Sequence, residues 1–152
     1  MQSINEIKLD GFQIVRSEMF IKRMTRYIEP TCTIWPNCIY FSKPAVRALG
    51  NCENIRIHVN VESRKLLVIP VSSSDRDAIR WSKTKNGNVE SRKIECIPFS
   101  DELYRAWSLD RTNAYRSVGS LYSVDGKIVL LFDFAEPETW RLKEKPEGGA
   151  SV

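Results

Sequence analysis

The segment from residue 75 to residue 93 combines basic side chains with an aromatic one, a combination that suits nucleic-acid binding. It carries six basic residues against three acidic ones, and so holds three of the four net positive charges of the chain. Lys and Arg side chains neutralise phosphates, and an exposed indole stacks on bases. We therefore predict nucleic-acid contacts by Arg80, Trp81, Lys83, Lys85, Arg92 and Lys93. In the alternative interpretation, the basic side chains are only solvated and Trp81 packs on the core.

Two further groups of basic residues extend this prediction. Lys22, Arg23 and Arg26 cluster near the N-terminus, and Lys43 begins a predicted helix. Phosphate binding requires such charges to share one face of the molecule. We therefore expect these four residues to join the nucleic-acid site.

The cysteines and the histidine are too few and too dispersed to predict a metal site. The cysteines are Cys32, Cys38, Cys52 and Cys96, without a Cys-x-x-Cys pair, and His58 is the only histidine. Zinc sites need three or four ligands, usually with two of them close in sequence. We predict no metal and no cofactor, and reduced, half-buried thiols as in cytosolic proteins.

No pattern of residues predicts catalysis, and we expect the chain not to be an enzyme. A general base or an activated nucleophile needs a partner side chain beside it. His58 lies between Ile57 and Val59 in an alternating strand, so its side chain should point away from the core. Cys38 and Cys96 occupy equivalent places in two similar stretches, which favours a packing role. The seven glycines are scattered and form no phosphate-binding loop.

Length and composition are those of one globular domain. The chain has 152 residues, of which 42% are hydrophobic and 28% charged, and a chain of this size can bury a substantial core. No apolar run approaches the ~20 residues of a membrane-spanning helix, so we expect no membrane contact. The N-terminal residues lack the apolar stretch of a signal peptide, which predicts a cytoplasmic protein.

Strand and helix signals divide the chain into five segments. They are a leader (1–30), a first strand–helix–strand–strand unit (31–71), a basic linker loop (72–92), a second such unit (93–134) and a charged tail (135–152). Ser42 and Ser100 are good helix N-caps, Gly50 ends the first helix, and Asp125-Gly126 predicts a hairpin turn. The residues expected in the core are Phe41, Leu49, Ile57, Leu67, Phe99, Trp107 and Leu130.

Two stretches of the sequence match each other at a fixed distance of 58 residues. Cys38–Ser42 recurs as Cys96–Ser100, and Arg47-Ala48 recurs as Arg105-Ala106. A unit of ~35 residues has too little core to fold alone, whereas two copies can close their sheets on each other. We therefore predict an α+β fold in which duplicated β-α-β-β units form a pseudo-two-fold, β-barrel-like core. The two arginines are then expected to form hydrogen bonds within their own units.

The stretch Thr33–Gly50 reads as a strand, a turn, a short strand and a helix, and Ile55–Val71 reads as a β-hairpin that follows. The helix ends with Arg47, Leu49 and Gly50. This order of elements and this helix end resemble the swapped-hairpin family of AbrB, MazE and SpoVT. The sequence differs from the family in having Asn37 where Gly is usual, and in lacking the Pro that is usual at the place of Ser42 or Lys43. Most members of the family carry one unit per chain and dimerise.

The resemblance implies binding to duplex DNA, as a transcriptional regulator or an antitoxin-like protein. Antitoxins of this family wrap a protein partner with segments that flank the fold, a role that the leader or the tail could fill here. The tail stretch Glu136–Trp140 carries one aromatic side chain among acidic ones, which suits either docking or covering a sheet edge. The alternative function is a non-enzymatic protein-interaction or structural module without a DNA role, and a homo-oligomer is left open.

Overall fold

The structure, a computed structural model, describes residues 5–16 and 29–143. Its strands are β1 (Thr31–Ile34), β2 (Cys38–Phe41), β3 (Asn54–Asn60), β4 (Lys65–Pro70), β5 (Ile79–Arg80), β6 (Ser82–Lys85), β7 (Asn88–Ser91), β8 (Lys93–Glu95), β9 (Asn113–Val124), β10 (Lys127–Asp133) and β11 (Glu138–Arg141). In the same ranges the helices are α1 (Lys43–Ala48) and α2 (Ile97–Ala106). Neither of these helices is long and apolar enough to cross a membrane.

Nine strands form one antiparallel sheet in the order β5-β3-β4-β10-β9-β1-β2-β8, with β11 added beside β9. Among the described strands, β6 and β7 pair only with each other and form a separate ribbon. The large sheet curls into a half-barrel, which brings the ring of Phe41 on β2 to a centroid distance of 5.6 Å from that of Phe132 on β10. The fold thus belongs to the α+β, barrel-like class that the sequence predicts.

Aromatic side chains fill the interior of the half-barrel. Phe41, Phe132 and Trp107 are almost completely buried. The ring of Trp107 stacks on Phe134 with centroids 5.8 Å apart, and its Nε1 donates a hydrogen bond to the carbonyl of Val61 at 3.0 Å. The end of α2 is therefore fixed against the β3–β4 turn by packing and by one partly buried hydrogen bond.

Alternation along the strands decides which of the predicted core residues are buried. Phe41, Leu49, Trp107 and Leu130 are buried as predicted, whereas Ile57, Leu67 and Phe99 are only half-buried. Leu67 lies between buried Leu66 and Val68 on β4, and successive side chains of a strand point to opposite faces. The apolar run of β4 therefore places Leu67 on the outer face of the sheet.

The second helix begins earlier than the sequence predicts. Ser42 is the N-cap of α1 as expected, but α2 starts at Ile97 with Cys96 as its N-cap. Ser100 lies inside the helix and is buried, so its prediction as a cap was wrong. Pro98 explains the shift, because proline is favoured in the first turn of a helix and excluded from the interior of a sheet.

The matching pentapeptides consequently adopt different structures. Cys38–Phe41 is strand β2, whereas the residues that follow Cys96 open α2. The second match does coincide, since Leu49 and Trp107 are the C-caps of the two helices. The ends of the two helices, rather than the strands before them, are thus the places where the matching stretches have the same structure.

The segment predicted as a basic linker loop (72–92) contains strands, which corrects that prediction. β5, β6 and β7 all lie within it. Asn86 and Gly87 join β6 to β7 with φ angles of 52° and 78°, and two consecutive residues of positive φ form the type I′ turn that connects short hairpins. The Asn-Gly pair was the signal for this hairpin, and the polar composition around it concealed the strands.

The two ends of the chain differ in how they contact the sheet. Residues 5–16 of the leader form one turn at Asp10-Gly11 and are exposed throughout. The charged tail supplies β11, which pairs with β9, and Trp140 there lies 5.2 Å from the guanidinium of Arg116. This part of the tail therefore covers a sheet edge, the second of the two roles considered for it.

Candidate nucleic-acid interface

The β6–β7 ribbon has a fixed register that assigns its side chains to two faces. Lys83 pairs with Glu90, Lys85 with Asn88, Ser82 with Ser91 and Thr84 with Val89. Because residues directly opposite each other in an antiparallel pair share a face, the first two pairs lie on one face of the ribbon. The last two pairs lie on the other.

One face of the ribbon packs on the body of the protein. Ser82 is buried, Val89 packs against the hydrophobic core, and the hydroxyls of Ser91 and Tyr40 are hydrogen-bonded at 2.6 Å. These contacts hold the ribbon against β2 and orient its opposite face, with Lys83, Lys85 and Asn88, toward solvent.

Helix α1 lies beside β7 and adds basic side chains next to the ribbon. Ala45 and Val46 are its buried residues, and Lys43 and Arg47 are exposed. Arg47 was expected to form a hydrogen bond within its own unit, but its side chain makes none with the described residues, and the same holds for Arg105. That expectation was wrong, and Arg47 joins Lys43 as an exposed basic residue of α1 beside the ribbon.

Three other predicted site residues lie at the base of the ribbon and keep their charges exposed. Lys93 extends its Nζ over the ring of Trp35 at 5.0 Å from the centroid. Arg80 donates from Nε to the carbonyl of Ser82 at 3.3 Å, and Arg92 is exposed. These contacts restrict the side chains of Arg80 and Lys93 without neutralising them.

Trp81 takes the role that the alternative interpretation gave it. Its side chain is fully buried, at 0% exposure, and its ring meets Phe41 edge-on with centroids 5.3 Å apart. Its Nε1 donates to the carbonyl of Cys52 at 2.8 Å. Trp81 therefore cannot stack on a base, and its assignment to the nucleic-acid site was wrong. It anchors the strand that leads into the ribbon.

The remaining predicted basic residues, Lys22, Arg23 and Arg26, lie outside the described residues. Ion pairs within the described ranges involve other arginines, and neither Lys83 nor Lys85 forms one. They join Arg56 to Asp75, Arg111 to Asp101 and Arg116 to Glu138, each at 2.8 Å. The positive charge of the ribbon is therefore available to an external anion, with Glu90 beside Lys83 as its one acidic neighbour in the ribbon.

Among the described residues, the side chains considered for catalysis or metal binding are not arranged for either role. Burial raises the pKa of the Cys96 thiol and also that of Cys38, which keeps both protonated near neutral pH and opposes a nucleophilic role. His58 is exposed, and its Nε2 accepts a hydrogen bond from Nε of Arg56 at 2.8 Å. Within residues 5–16 and 29–143, no three His, Cys, Asp or Glu side chains are grouped closely enough to hold a metal ion.

Six of the basic residues that the sequence interpretation assigned to the site are exposed in the structure, whereas its one aromatic residue, Trp81, is buried. Lys43, Arg80, Lys83, Lys85, Arg92 and Lys93 lie on α1, on the ribbon or at the ribbon's base. Comparison with protein-family models, curated proteins and solved structures finds no match to this chain.

Proposed function

We propose that this chain binds duplex DNA through the β6–β7 ribbon. The observation that carries the proposal is an exposed two-stranded ribbon whose outward face presents Lys83 and Lys85 beside Asn88. The major groove of B-DNA, about 12 Å wide, admits a two-stranded β-ribbon. Lysines on such a ribbon reach phosphates, and an asparagine side chain can pair with the edge of an adenine.

Basic residues beside the ribbon suit contacts to the phosphates that border a groove. Lys43 and Arg47 lie on α1 next to β7, and Arg92 and Lys93 lie at the ribbon's base. Phosphate contacts fix the position of a protein on DNA, whereas contacts to base edges provide specificity. In this proposal Lys83 and Lys85 of the ribbon share the phosphate contacts with basic residues of α1 and the ribbon base, and Asn88 contacts a base edge in the groove.

We further infer that the fold arose by duplication of a strand–strand–helix–strand–strand unit, as the resemblance to swapped-hairpin proteins implies. Four pairings between the halves support it: β1 with β9, β3 with β5, β2 with β8 and β4 with β10. The first strand of each half pairs with the strand after the helix of the other half. In this proposal a pseudo-two-fold axis relates the two halves, as a two-fold axis relates the subunits of a dimer that exchange strands.

The duplication gives the ribbon a defined origin. In the first half, β1 leads directly to β2 through residues 35–37, and in the second half β5 leads to β8 through the whole β6–β7 ribbon. The ribbon is therefore an extension in the second copy at the place of the short turn in the first. The two halves then depart from their pseudo-symmetry at the ribbon, and the ribbon is also the proposed DNA-binding element.

The duplication predicts that the halves assemble as separate chains. Residues 1–73 and 74–152, produced separately, should each be largely unfolded, because β1, β3 and β4 pair with strands of the other half. Their mixture should form a 1:1 complex with the circular dichroism spectrum of the intact chain. A folded, monomeric half would contradict the inferred exchange of strands.

DNA binding is tested by the salt dependence of affinity, measured by fluorescence anisotropy on a labelled duplex. If about four phosphates are contacted, log affinity should fall with log salt at a slope near −3.6, since each contact contributes about −0.9. Changing Lys83, Lys85 and Arg92 together to Gln should reduce the slope by roughly 2.7. Thermal stability should stay nearly unchanged, because these exposed charges contribute little to folding.

A charge-matched variant distinguishes the contribution of the ribbon to DNA binding from that of the net charge of the chain. Arg105, Lys127 and Lys143 are exposed on α2, at the β9–β10 turn and after β11, and changing these three to Gln removes the same charge. This control should keep a slope near that of the unmodified protein. Absence of binding at about 50 mM salt, or equal loss in both variants, would overturn the proposal. The protein-interaction function would then be favoured, since Leu121, Tyr122 and Ile128 are more than half exposed on the β9–β10 hairpin.

A further inference from the structure

An apolar cavity of about 280 Å³ opens between the two ends of the curled sheet. Its lining residues are Ile39, Ile57, Ile79, Ile94, Cys96 and Phe99. β5 and β8 are the terminal strands of the sheet order, and they carry Ile79 and Ile94. The cavity thus occupies the place where the half-barrel does not close.

The walls of the cavity come from rigid elements on both sides of this gap. Ile94 lies opposite Ile39 in the β2–β8 pair, and Ile79 lies opposite Ile55 in the β3–β5 pair. Phe99 projects from the first turns of α2. Beyond the gap, the backbone N–H of Arg92 donates to the carbonyl of Trp81 at 3.1 Å, which joins the two sides again where the ribbon begins.

The chemistry of the walls determines the kind of ligand that fits. Five of the six lining side chains are hydrocarbon, and the sixth, Cys96, has its Sγ hydrogen-bonded to Oγ of Ser100 at 3.2 Å. Burial raises the pKa of this thiol, so it stays uncharged. A charged or strongly polar ligand would lose its hydration here without a compensating partner.

Four of the lining residues, Ile57, Ile79, Ile94 and Phe99, are only half-buried although they pack on the main core. Apolar side chains that converge on one concave space and remain accessible are typical of a ligand site. Empty apolar cavities of about 150 Å³ are known to bind benzene. A cavity almost twice that volume suits a fused pair of rings.

We propose that this cavity binds a small, uncharged, apolar molecule of about the size of a bicyclic aromatic. The ligand would lie between Ile79 and Ile94, contact Phe99 and cover the thiol of Cys96. Its binding energy would come from the apolar surface that both partners remove from water.

Alkylation of the cysteines tests the proposal in the unmodified protein, with indole and naphthalene as probes. Iodoacetamide modification of Cys96 is followed by peptide mass spectrometry. At a probe concentration about ten times its Kd, the rate at Cys96 should fall about tenfold, because only about a tenth of the molecules keep an open cavity. Cys52 is also half-buried but does not line the cavity, so its rate should not change.

Variants that fill the cavity provide the second measurement. Ile94→Phe and, separately, Ile79→Phe should abolish the protection of Cys96 by either probe. Ile128→Phe makes the same change at a side chain that is 57% exposed on the β9–β10 hairpin, and it should retain full protection. The proposal is wrong if neither probe slows Cys96 alkylation in the unmodified protein. It is equally wrong if folded Ile94→Phe and Ile79→Phe proteins are protected as well as Ile128→Phe.

Discussion

Replacing Trp81 by alanine is expected to lower the free energy of unfolding by about 3–5 kcal/mol, the usual cost of removing a large buried aromatic side chain. The indole is completely buried and contacts the ring of Phe41. Its loss leaves a cavity beneath the base of the ribbon. Urea denaturation followed by circular dichroism measures the change.

Two further variants distinguish this role from stacking on nucleic acid. The carbonyl of Cys52 accepts hydrogen bonds from Nε1 of Trp81 and from Oγ of Ser82. Trp81→Phe leaves that carbonyl with one donor and keeps most of the packing, so it should cost clearly less than Trp81→Ala. Lys83→Ala, at an exposed position, should be nearly neutral for stability. Unchanged stability in Trp81→Ala together with weaker DNA binding would restore the stacking role and refute the packing one.

Phe41→Ala is expected to destabilise the protein to a similar extent, by about 3–5 kcal/mol. Phe41 is completely buried and its ring meets both Trp81 and Phe132. Phe41 on β2 therefore contacts the base of the ribbon on one side and β10 on the other, across the interior of the half-barrel. The measurement is the urea midpoint with its slope, compared with those of the unmodified chain.

Phe99→Ala is the matched control for Phe41→Ala. Phe99 is half-buried at the edge of the apolar cavity, so the same truncation removes less surface from contact and should cost about 1–2 kcal/mol. Equal losses in the two variants would mean that Phe99 is packed as completely as Phe41, and the cavity beside it would then be closed in solution.

Local signals in the sequence predicted the short-range parts of the fold. Asp125 and Gly126 have φ angles of 48° and 80°, as a type I′ hairpin turn requires. Gly50 follows α1 with a φ of 70°, a conformation that glycine adopts without strain. These features depend on residues a few positions apart, so the sequence by itself determined them.

Charge in the sequence predicted the candidate site, and the packing of the fold decided which of its side chains are exposed. The basic composition of residues 75–93 pointed to Lys83 and Lys85, and the structure presents both on the outer face of one ribbon. Composition could not separate an exposed indole from a buried one. Trp81 is buried because Phe41 and the carbonyl of Cys52, from distant parts of the chain, meet at its position.

Tertiary structure alone decided the pairing of strands and, through it, the open edge of the half-barrel. β1 pairs with β9 and β3 pairs with β5, in addition to their hairpin partners β2 and β4. Such choices follow from which arrangement buries the apolar faces of all strands together, and no local window contains that information. The sequence by itself therefore determined the β9–β10 hairpin turn, the end of α1 and the charge of the ribbon. The fold of the whole chain decided where Trp81 lies, which strands distant in sequence pair with each other and where the cavity opens.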